Sequence, residues 1–403
     1  MTTATAGRAL IPIAEAGEAV TLIVKLVGDA CNINCYYCYE KRKGDEDGVD
    51  RVSVGEVRSA LDALGGRPAV VHLHGGEPLL YGRGGMRDLL AELSRRENVV
   101  GIQVQTNGLL LDDGWLDLFE NSVPPVEIGV SLDGDEQHNS YRVNFADRGT
   151  SAQVAQALDL LGRREIPFGM IMVVHDRNVA EPDRIFDLVA HTRGLVNVNL
   201  VPCFDQGQAP RSVPSGNRGL LELVDAADSA VGNGWAVSPN AYLEFLRAFT
   251  ERWIDERAYR RFNVEPVMSA LRRRGGKDAR MCHYSERKCG HIYTLYPGGR
   301  FGSCDELSPV DSLLAHDLRR ASPSSLEDVW ATPLGRRQLK VISAPLAECA
   351  SCSAQSLCGG GCMATRTRLA AAGRSEDYCD YRRGFVFWLD SVMRELEAQD
   401  AGQ

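Results

Sequence analysis

The chain has 403 residues, with 45 basic against 54 acidic side chains and a formal net charge of −9. At roughly 150 residues per domain this is room for two or three domains, and an acidic balance argues against a grip on nucleic-acid phosphates as the main activity. No apolar run reaches the ~18 residues of a membrane span, and the first twenty residues have neither a basic start nor a long apolar core, so they do not read as a signal peptide. The expectation is a cytoplasmic protein with no membrane and no nucleic-acid partner.

The first 235 residues alternate between two hydrophobic periods. Short apolar strands are predicted at Thr21–Val27, Ala69–His74, Gly101–Thr106, Val126–Leu132, Phe168–Val174 and Val196–Val201. Helical patterns lie between them. Ser53-Val54-Gly55-Glu56 has the form of a capping box and opens a stripe of Val57, Leu61 and Leu64. Met86, Leu89, Leu90 and Leu93 form a second stripe, and Thr150 is placed to cap a third with Val154, Ala157, Leu158 and Leu161. Strand–helix alternation predicts parallel strands with right-handed crossovers, an open sheet or incomplete barrel of six units, with its site at the C-terminal strand ends. Residues 205–218 are a Gly/Pro/Ser-rich connection. Helices follow to about Leu271, then a loop-rich, thiol-rich region, then a last amphipathic helix with Phe385, Trp388, Leu389, Val392 and Leu396.

Twelve cysteines are the anomaly, because a reducing compartment disfavours disulfides and clustered thiols there more often bind metal or do redox chemistry. Cys31, Cys35 and Cys38 stand together, eight crowd the last third, and Cys203 stands apart, where it reads as a small buried hydrophobe. Cys31-Asn-Ile-Asn-Cys35-Tyr-Tyr-Cys38 is a CxxxCxxC. Three thiolates can hold three irons of a 4Fe–4S cube and leave the fourth open, whereas electron-transfer clusters use four cysteines. A zinc site completed by a distant fourth ligand is the alternative at this point.

This spacing directly after a first strand resembles the radical S-adenosylmethionine (SAM) superfamily. His74-Gly75-Gly76-Glu77-Pro78 after the second strand looks like that family's GGEP motif; read alone, it is a turn with a capping carboxylate. The resemblance implies that Gly75, Gly76 and Glu77 hold the SAM ammonium, that Ser131 meets the ribose, and that Arg142 pairs with the SAM carboxylate through a guanidinium fork. A solvated arginine is the plainer reading of Arg142. Asn107, in the Gln105–Gly108 turn, and Tyr39, whose backbone would lie near adenine, complete the implied cofactor contacts; a tight turn and a packing tyrosine are their alternatives. His72 and His74 are candidates for the pocket lining.

The second group reads Cys282-x6-Cys289-x9-Gly299-x4-Cys304, then Cys349-x2-Cys352-x5-Cys358-x3-Cys362, then Cys379. It is similar to the SPASM extension of radical SAM enzymes that modify peptides and proteins. Eight thiolates are enough for two fully ligated 4Fe–4S clusters; a pair of zinc knuckles accounts for Cys349 and Cys352 but not for the upstream loop. The resemblance implies that Cys282, Cys289, Cys304 and Cys362 hold one cluster and Cys349, Cys352, Cys358 and Cys379 the other, a partition that spacing alone does not yield. Asp305, next to Cys304, is by the same resemblance the base toward substrate, against the plainer reading of a carboxylate bonding local backbone; Glu306 is a weaker rival. The implied fold is α/β: an N-terminal segment 1–20, a partial (β/α)6 radical SAM barrel over 21–235, a helical bridge 236–281, a cysteine-rich SPASM domain 282–379 with two auxiliary Fe–S clusters, and a C-terminal helix 380–403. The implied cofactors are three 4Fe–4S clusters and SAM.

Enzymes of this build act mostly on ribosomally made precursor peptides or on protein side chains. The run KLVGDACNINCYYCYEK looks most like peptide maturases that form three-residue cyclophanes. A thioether-forming maturase and an anaerobic sulfatase-maturating, formylglycine-forming enzyme are the alternatives, and a non-catalytic zinc or Fe–S scaffold is the alternative of another class. About twenty residues before the first strand are too few for a fused leader-recognition domain of some eighty residues. The precursor is therefore bound by the barrel or brought by a separate recognition protein, and an electron donor such as flavodoxin or ferredoxin is implied. Arg272-Arg273-Arg274 is either a contact for an acidic leader or a solvated helix end.

Overall fold

The computed structural model describes residues 11–40, 51–204, 234–307, 316–318 and 325–401. The connection at 205–218 lies outside them. Strands β1 (Val20–Lys25), β2 (Ala69–His74), β3 (Val99–Thr106), β4 (Val126–Ser131), β5 (Phe168–Val174) and β6 (Leu195–Pro202) are all parallel neighbours in sequence order. A helix lies between each consecutive pair, as right-handed β–α–β units require. Ser53 and Glu56 form the reciprocal cap of the helix Val54–Ala63. Thr150 differs from expectation: its hydroxyl donates to the Arg142 carbonyl at 2.8 Å instead of capping the helix Ser151–Arg163. The stronger local partner wins because the chain doubles back there.

The second half of the chain extends this sheet at both edges. β7 (Asn263–Glu265) adds in parallel beside β6, inside the segment 236–281 that sequence reads as helical. β8 (Ile292–Tyr296) adds in parallel beside β1, and β9 (Arg300–Ser303) and β10 (His316–Asp317) follow it antiparallel, giving ten strands in one sheet among the described residues. The β8–β9 hairpin turns through Pro297, Gly298 and Gly299. Both glycines have positive φ (83° and 70°), a conformation open to glycine without strain. The last helix starts at Ser375 and so carries Cys379. No described helix is long and apolar enough to cross a membrane.

Burial alternates along the strands and gives the two faces different tasks. Leu22, Val24, Val71, Leu73, Val104 and Val130 are fully buried, as a side chain under a helix layer must be. The opposite face carries Lys25, His72, His74, Gln103, Gln105, Ser131 and Asn199. Register sets Lys25 beside His74, and Gln105 beside Gly129 two residues before Ser131. A polar face on a central parallel sheet is expensive unless something polar occupies it, so this face is where a ligand belongs.

Candidate active site

Two loops that follow β1 and β2 are pressed together at the strand ends. The Glu77 amide donates to the Ala30 carbonyl at 2.8 Å. A Cβ on Gly76 (φ +45°) would lie 1.8 Å from that same carbonyl oxygen, and one on Gly75 (φ +85°) 2.7 Å from the Lys25 side chain. Gly76 is therefore demanded by the approach of the cysteine loop, and Gly75 by the end of β1 and the Gly28 carbonyl that follows it. The plainer reading of Glu77 also holds: its buried carboxylate accepts from the Leu79 amide (3.0 Å), the Thr106 hydroxyl (2.7 Å) and the Asn107 amide (2.8 Å). Burial raises its pKa against those three donors. Through Glu77 the ends of β2 and β3 form one unit.

The cysteine loop is tied down on its other side. The Asn34 amide donates to the Val143 carbonyl and the Tyr36 amide to the Tyr141 carbonyl. The Asn107 side chain reaches Cys31 Sγ at 3.7 Å and Asn32 Oδ1 at 2.7 Å. Cys31, Cys35 and Cys38 form no disulfide. Burial, then the charges of Cys35, Glu77 and Cys38, push the Cys31 thiol up to about 12. A thiol with two others near enough to oppose its ionisation belongs to a donor set suited to a cation.

Arg142 is buried and donates to the Tyr37 hydroxyl at 3.1 Å, while that hydroxyl donates to Asp133. Burial opposes the Arg142 charge, but Tyr37, Cys35 and Asp133 outweigh it and hold the group charged. Among the described residues its Nε has no partner, so the fork retains a donor for an anionic ligand. Asp133 accepts from the Val173 amide and lies beside His175; neither residue stands out in the sequence. Ser131 accepts from Gln105 at 2.9 Å.

Asp305 comes to the other end of this polar face. Its Oδ2 accepts from Lys25 Nζ at 2.6 Å and from the Tyr39 hydroxyl at 2.8 Å. Lys25 also donates to Glu40 Oε1 at 2.6 Å and lies 3.1 Å from His74 Nδ1. Glu40, His74 and Asp305 have the spacing of a metal site, but the ammonium occupies the middle of it. Lys25 is 1% exposed; burial opposes its charge, and Asp305 and then Glu40 raise its pKa beyond the ordinary lysine value. Sequence reasoning missed Lys25 and Glu40. A lysine ending an apolar strand resembles an exposed strand end, and only its residue 305 partner makes it otherwise. His72 feels the same carboxylate, although burial lowers its pKa overall. Glu306 pairs with Arg368.

The eight later thiols fall into two groups. Cys289 leads into β8 and Cys304 follows β9, so the hairpin presents both at its open end. After burial and Asp305, the Cys304 thiol is raised by Cys289, Cys282 and Cys362. After burial, Cys349 is raised by Cys358, Cys379 and Cys352, with Arg366 opposing. Between Cys358 and Cys362 run Gly359, Gly360 and Gly361, all with positive φ. A Cβ on Gly359 would lie 2.7 Å from the Tyr284 carbonyl oxygen. This turn carries Cys362 back toward residues 282–289, where the Gly361 amide donates to the His283 carbonyl. Cys203 is buried just after β6. The arginine triplet is engaged internally: Arg273 binds the Tyr284 and Gln355 carbonyls and Glu286, and Arg274 binds Asp390 and Glu397.

A parallel β/α sheet, a three-thiol loop after its first strand and an eight-thiol second half have the architecture of a radical SAM enzyme, and the thiols fit SAM and three 4Fe–4S clusters as its cofactors. Residues 26–189 match the model of the Radical SAM superfamily. The chain is similar to the serine-type anaerobic sulfatase-maturating enzyme of Klebsiella aerogenes, 26% identical over 90% of this chain and 84% of that one. The enzyme of the same description from Bacteroides thetaiotaomicron is 24% identical over 94% and 92%. Among solved structures, anSMEcpe with bound AdoMet shares the fold with a TM-score of 0.74 at 18% identity, over 95% of this chain and 96% of that one. Streptococcus suis SuiB bound to S-adenosylmethionine does so at 0.56 and 14%, over 87% and 75%. The chain carries a radical SAM domain and is an enzyme of that chemistry.

Proposed function

We propose that the protein oxidises a side chain of a ribosomally made precursor peptide, closing a carbon–carbon cross-link to an aromatic ring: one hydrogen atom goes to the deoxyadenosyl radical, the ring proton to Asp305, and the remaining electron would go to an auxiliary cluster. The observation that carries this reading is the position of Asp305. It is adjacent to Cys304 in sequence and hydrogen-bonded to Tyr39, the residue after Cys38, so one carboxylate touches both halves of the cysteine framework.

When bound, SAM and its cluster supply a 5′-deoxyadenosyl radical that removes one hydrogen atom from the substrate. The chain's own residues do the rest. Cys31, Cys35 and Cys38 hold the open-sited cluster; Gly75, Gly76, Asn107, Ser131, Arg142 and the Tyr39 backbone surround SAM, and Glu77 fixes the turn that offers its carbonyls. Cys282, Cys289, Cys304 and Cys362 hold one auxiliary cluster, and Cys349, Cys352, Cys358 and Cys379 the other. Lys25 holds the Asp305 carboxylate in place. In this reading the barrel covers 21–235 and the SPASM domain 282–379, the protein works in the cytoplasm, a flavodoxin or ferredoxin supplies electrons, and a separate protein delivers the leader.

Formylglycine formation on a sulfatase is the second reading, favoured by the relatives that match over most of their length. Mass spectrometry of candidate substrates co-expressed with the enzyme tests both. A cross-link removes two hydrogen atoms and leaves a product inert to aminooxy reagents and resistant to proteolysis between the joined residues. Formylglycine gives an aldehyde that the reagent captures. An unmodified substrate in the presence of 5′-deoxyadenosine release would overturn the cross-link reading for that peptide.

A further inference from the structure

Two arginines in the second half are buried against sulfur. Arg382, 2% exposed, donates from Nε to Cys358 Sγ at 3.1 Å and from Nη2 to the Cys358 and His283 carbonyls at 2.6 and 3.2 Å. Its guanidinium lies over the Tyr284 ring at 4.2 Å. Among the described residues no carboxylate pairs with it. Arg366, 7% exposed, donates from Nη1 to Cys349 Sγ and Cys379 Sγ, both at 3.6 Å, and to the Gly360 carbonyl. Its Nη2 reaches the Pro345 carbonyl and the exposed carboxylate of Glu348.

A buried guanidinium without a carboxylate costs several kcal/mol unless some other anion faces it. Among the described residues, the sulfur of Cys358 is what faces the Arg382 guanidinium in place of a carboxylate, 3.1 Å from its Nε. Three of the four thiols in the Cys349, Cys352, Cys358, Cys379 group thus receive an arginine N–H. In the other group, among the described residues, no arginine N–H reaches a sulfur: His283 hydrogen-bonds the Cys362 thiol, and the nearby Lys288 donates to the Cys282 and Gly361 carbonyls.

We infer that Arg366 and Arg382 are tuning residues that raise the reduction potential of a cluster held by Cys349, Cys352, Cys358 and Cys379 above that of its neighbour. This rests on the reading that those four thiols hold a cluster. Adding one electron makes such a cluster one unit more negative, so fixed cations and hydrogen bonds to its sulfurs favour the reduced form, and net charge and sulfur hydrogen bonds are established determinants of potential. The second auxiliary cluster is then the more readily reduced of the two.

The test is a redox titration of the anaerobically reconstituted full-length holoenzyme, followed by electron paramagnetic resonance, beside an iron count. Arg366→Gln and Arg382→Gln should each move one midpoint to lower potential and leave the other two in place. Arg366→Lys and Arg382→Lys, which keep the charge, should move it less. Loss of that cluster's iron in the Gln variants but not in the Lys variants would equally assign the charge to it. Unmoved midpoints with full iron would overturn the inference, as would loss of iron in Gln and Lys variants alike, which would mean that the side chains only pack there. Cys352→Ala separates the underlying reading: if it leaves the iron content whole, no cluster sits on that group and the inference falls with it.

Discussion

Lys25 and Asp305 are 280 residues apart in sequence and 2.6 Å apart in space, the ammonium of the first strand against the carboxylate that follows Cys304. Both are buried. The pair ties the residue after Cys304 to the end of the first strand, beside the cysteine loop. A carboxylate so clamped is held at one place, where it can meet the proton of a bound substrate. Asp305→Asn preserves shape and leaves Lys25 paired with Glu40. It should lower product formation by about 10²-fold or more, the usual scale for a positioned base, while 5′-deoxyadenosine release continues. Chromatography of both products from one reaction gives the ratio; equal loss of the two would remove Asp305 from the proton-taking role.

Lys25→Met has a different signature. It leaves Asp305 and Glu40 buried at 10% and 9% side-chain exposure with no cation between them, and breaking such a pair costs about 3–5 kcal/mol. The melting temperature should fall well below that of Asp305→Asn. A double variant Lys25→Met with Asp305→Asn should recover part of the loss, because one of the stranded charges is gone. No recovery would mean that the lysine acts through packing.

Gly76→Ala tests the junction of the two loops. Its Cβ would sit 1.8 Å from the Ala30 backbone oxygen, and backbone cannot swing aside as a side-chain tip can. The cysteine loop should open, with loss of iron from the Cys31 site and of SAM binding in equilibrium dialysis. Gly84→Ala is the control, since a Cβ there meets nothing within 4 Å and lies in the helix Arg83–Leu93. It should be neutral or stabilising by up to about 1 kcal/mol.

Much of this architecture is legible in the sequence. β2 and β5 have the predicted bounds, because period-two burial under a helix layer writes itself into the residue pattern. Cysteine spacing and the glycine pairs are equally plain, since they answer to ligand geometry and to close backbone approach. The edges of the sheet are not. β7 is a three-residue strand, too short for any period, and the β8 segment IYTLY does not announce a parallel partner 270 residues upstream. Lys25, Arg366 and Arg382 escape for a related reason. Each is a charged residue on a regular element, where solvent is the default neighbour, and each is buried only because a distant carboxylate or thiol faces it.

Glu92 provides a pH test away from the site. Hydrogen bonds from Arg58, and after the opposing effect of burial those from Arg96, hold its carboxyl down from 4.5 to about 2. A depressed carboxylate contributes stability that is complete above the unfolded value and is lost as pH falls through the folded one. Arg58 is half in solvent, which limits the contribution to about 1 kcal/mol. Glu92→Gln should therefore be less stable than the parent near neutrality, and the gap should close between 4.5 and about 2. Urea unfolding across that range measures it; a gap independent of pH would mean that the charge is not its source.

The two cysteine groups predict a pattern of non-additivity. If Cys282, Cys289, Cys304 and Cys362 hold one cluster, removing one thiol should release about four irons per chain, and removing a second from the same group should release no more. Cys358 and Cys362 are the informative pair. They are four residues apart but separated by the left-handed turn of Gly359, Gly360 and Gly361, and their thiols answer to different neighbours: Cys362 raises the Cys304 pKa and Cys358 that of Cys349. Cys358→Ala with Cys362→Ala should thus lose about eight irons, whereas Cys289→Ala with Cys362→Ala, 73 positions apart in the sequence, should lose only about four. Iron and sulfide assays on anaerobically reconstituted protein decide it. The reverse pattern, with neighbours in sequence behaving as one unit, would return Cys362 to the group of Cys358 and leave Cys282, Cys289 and Cys304 one ligand short.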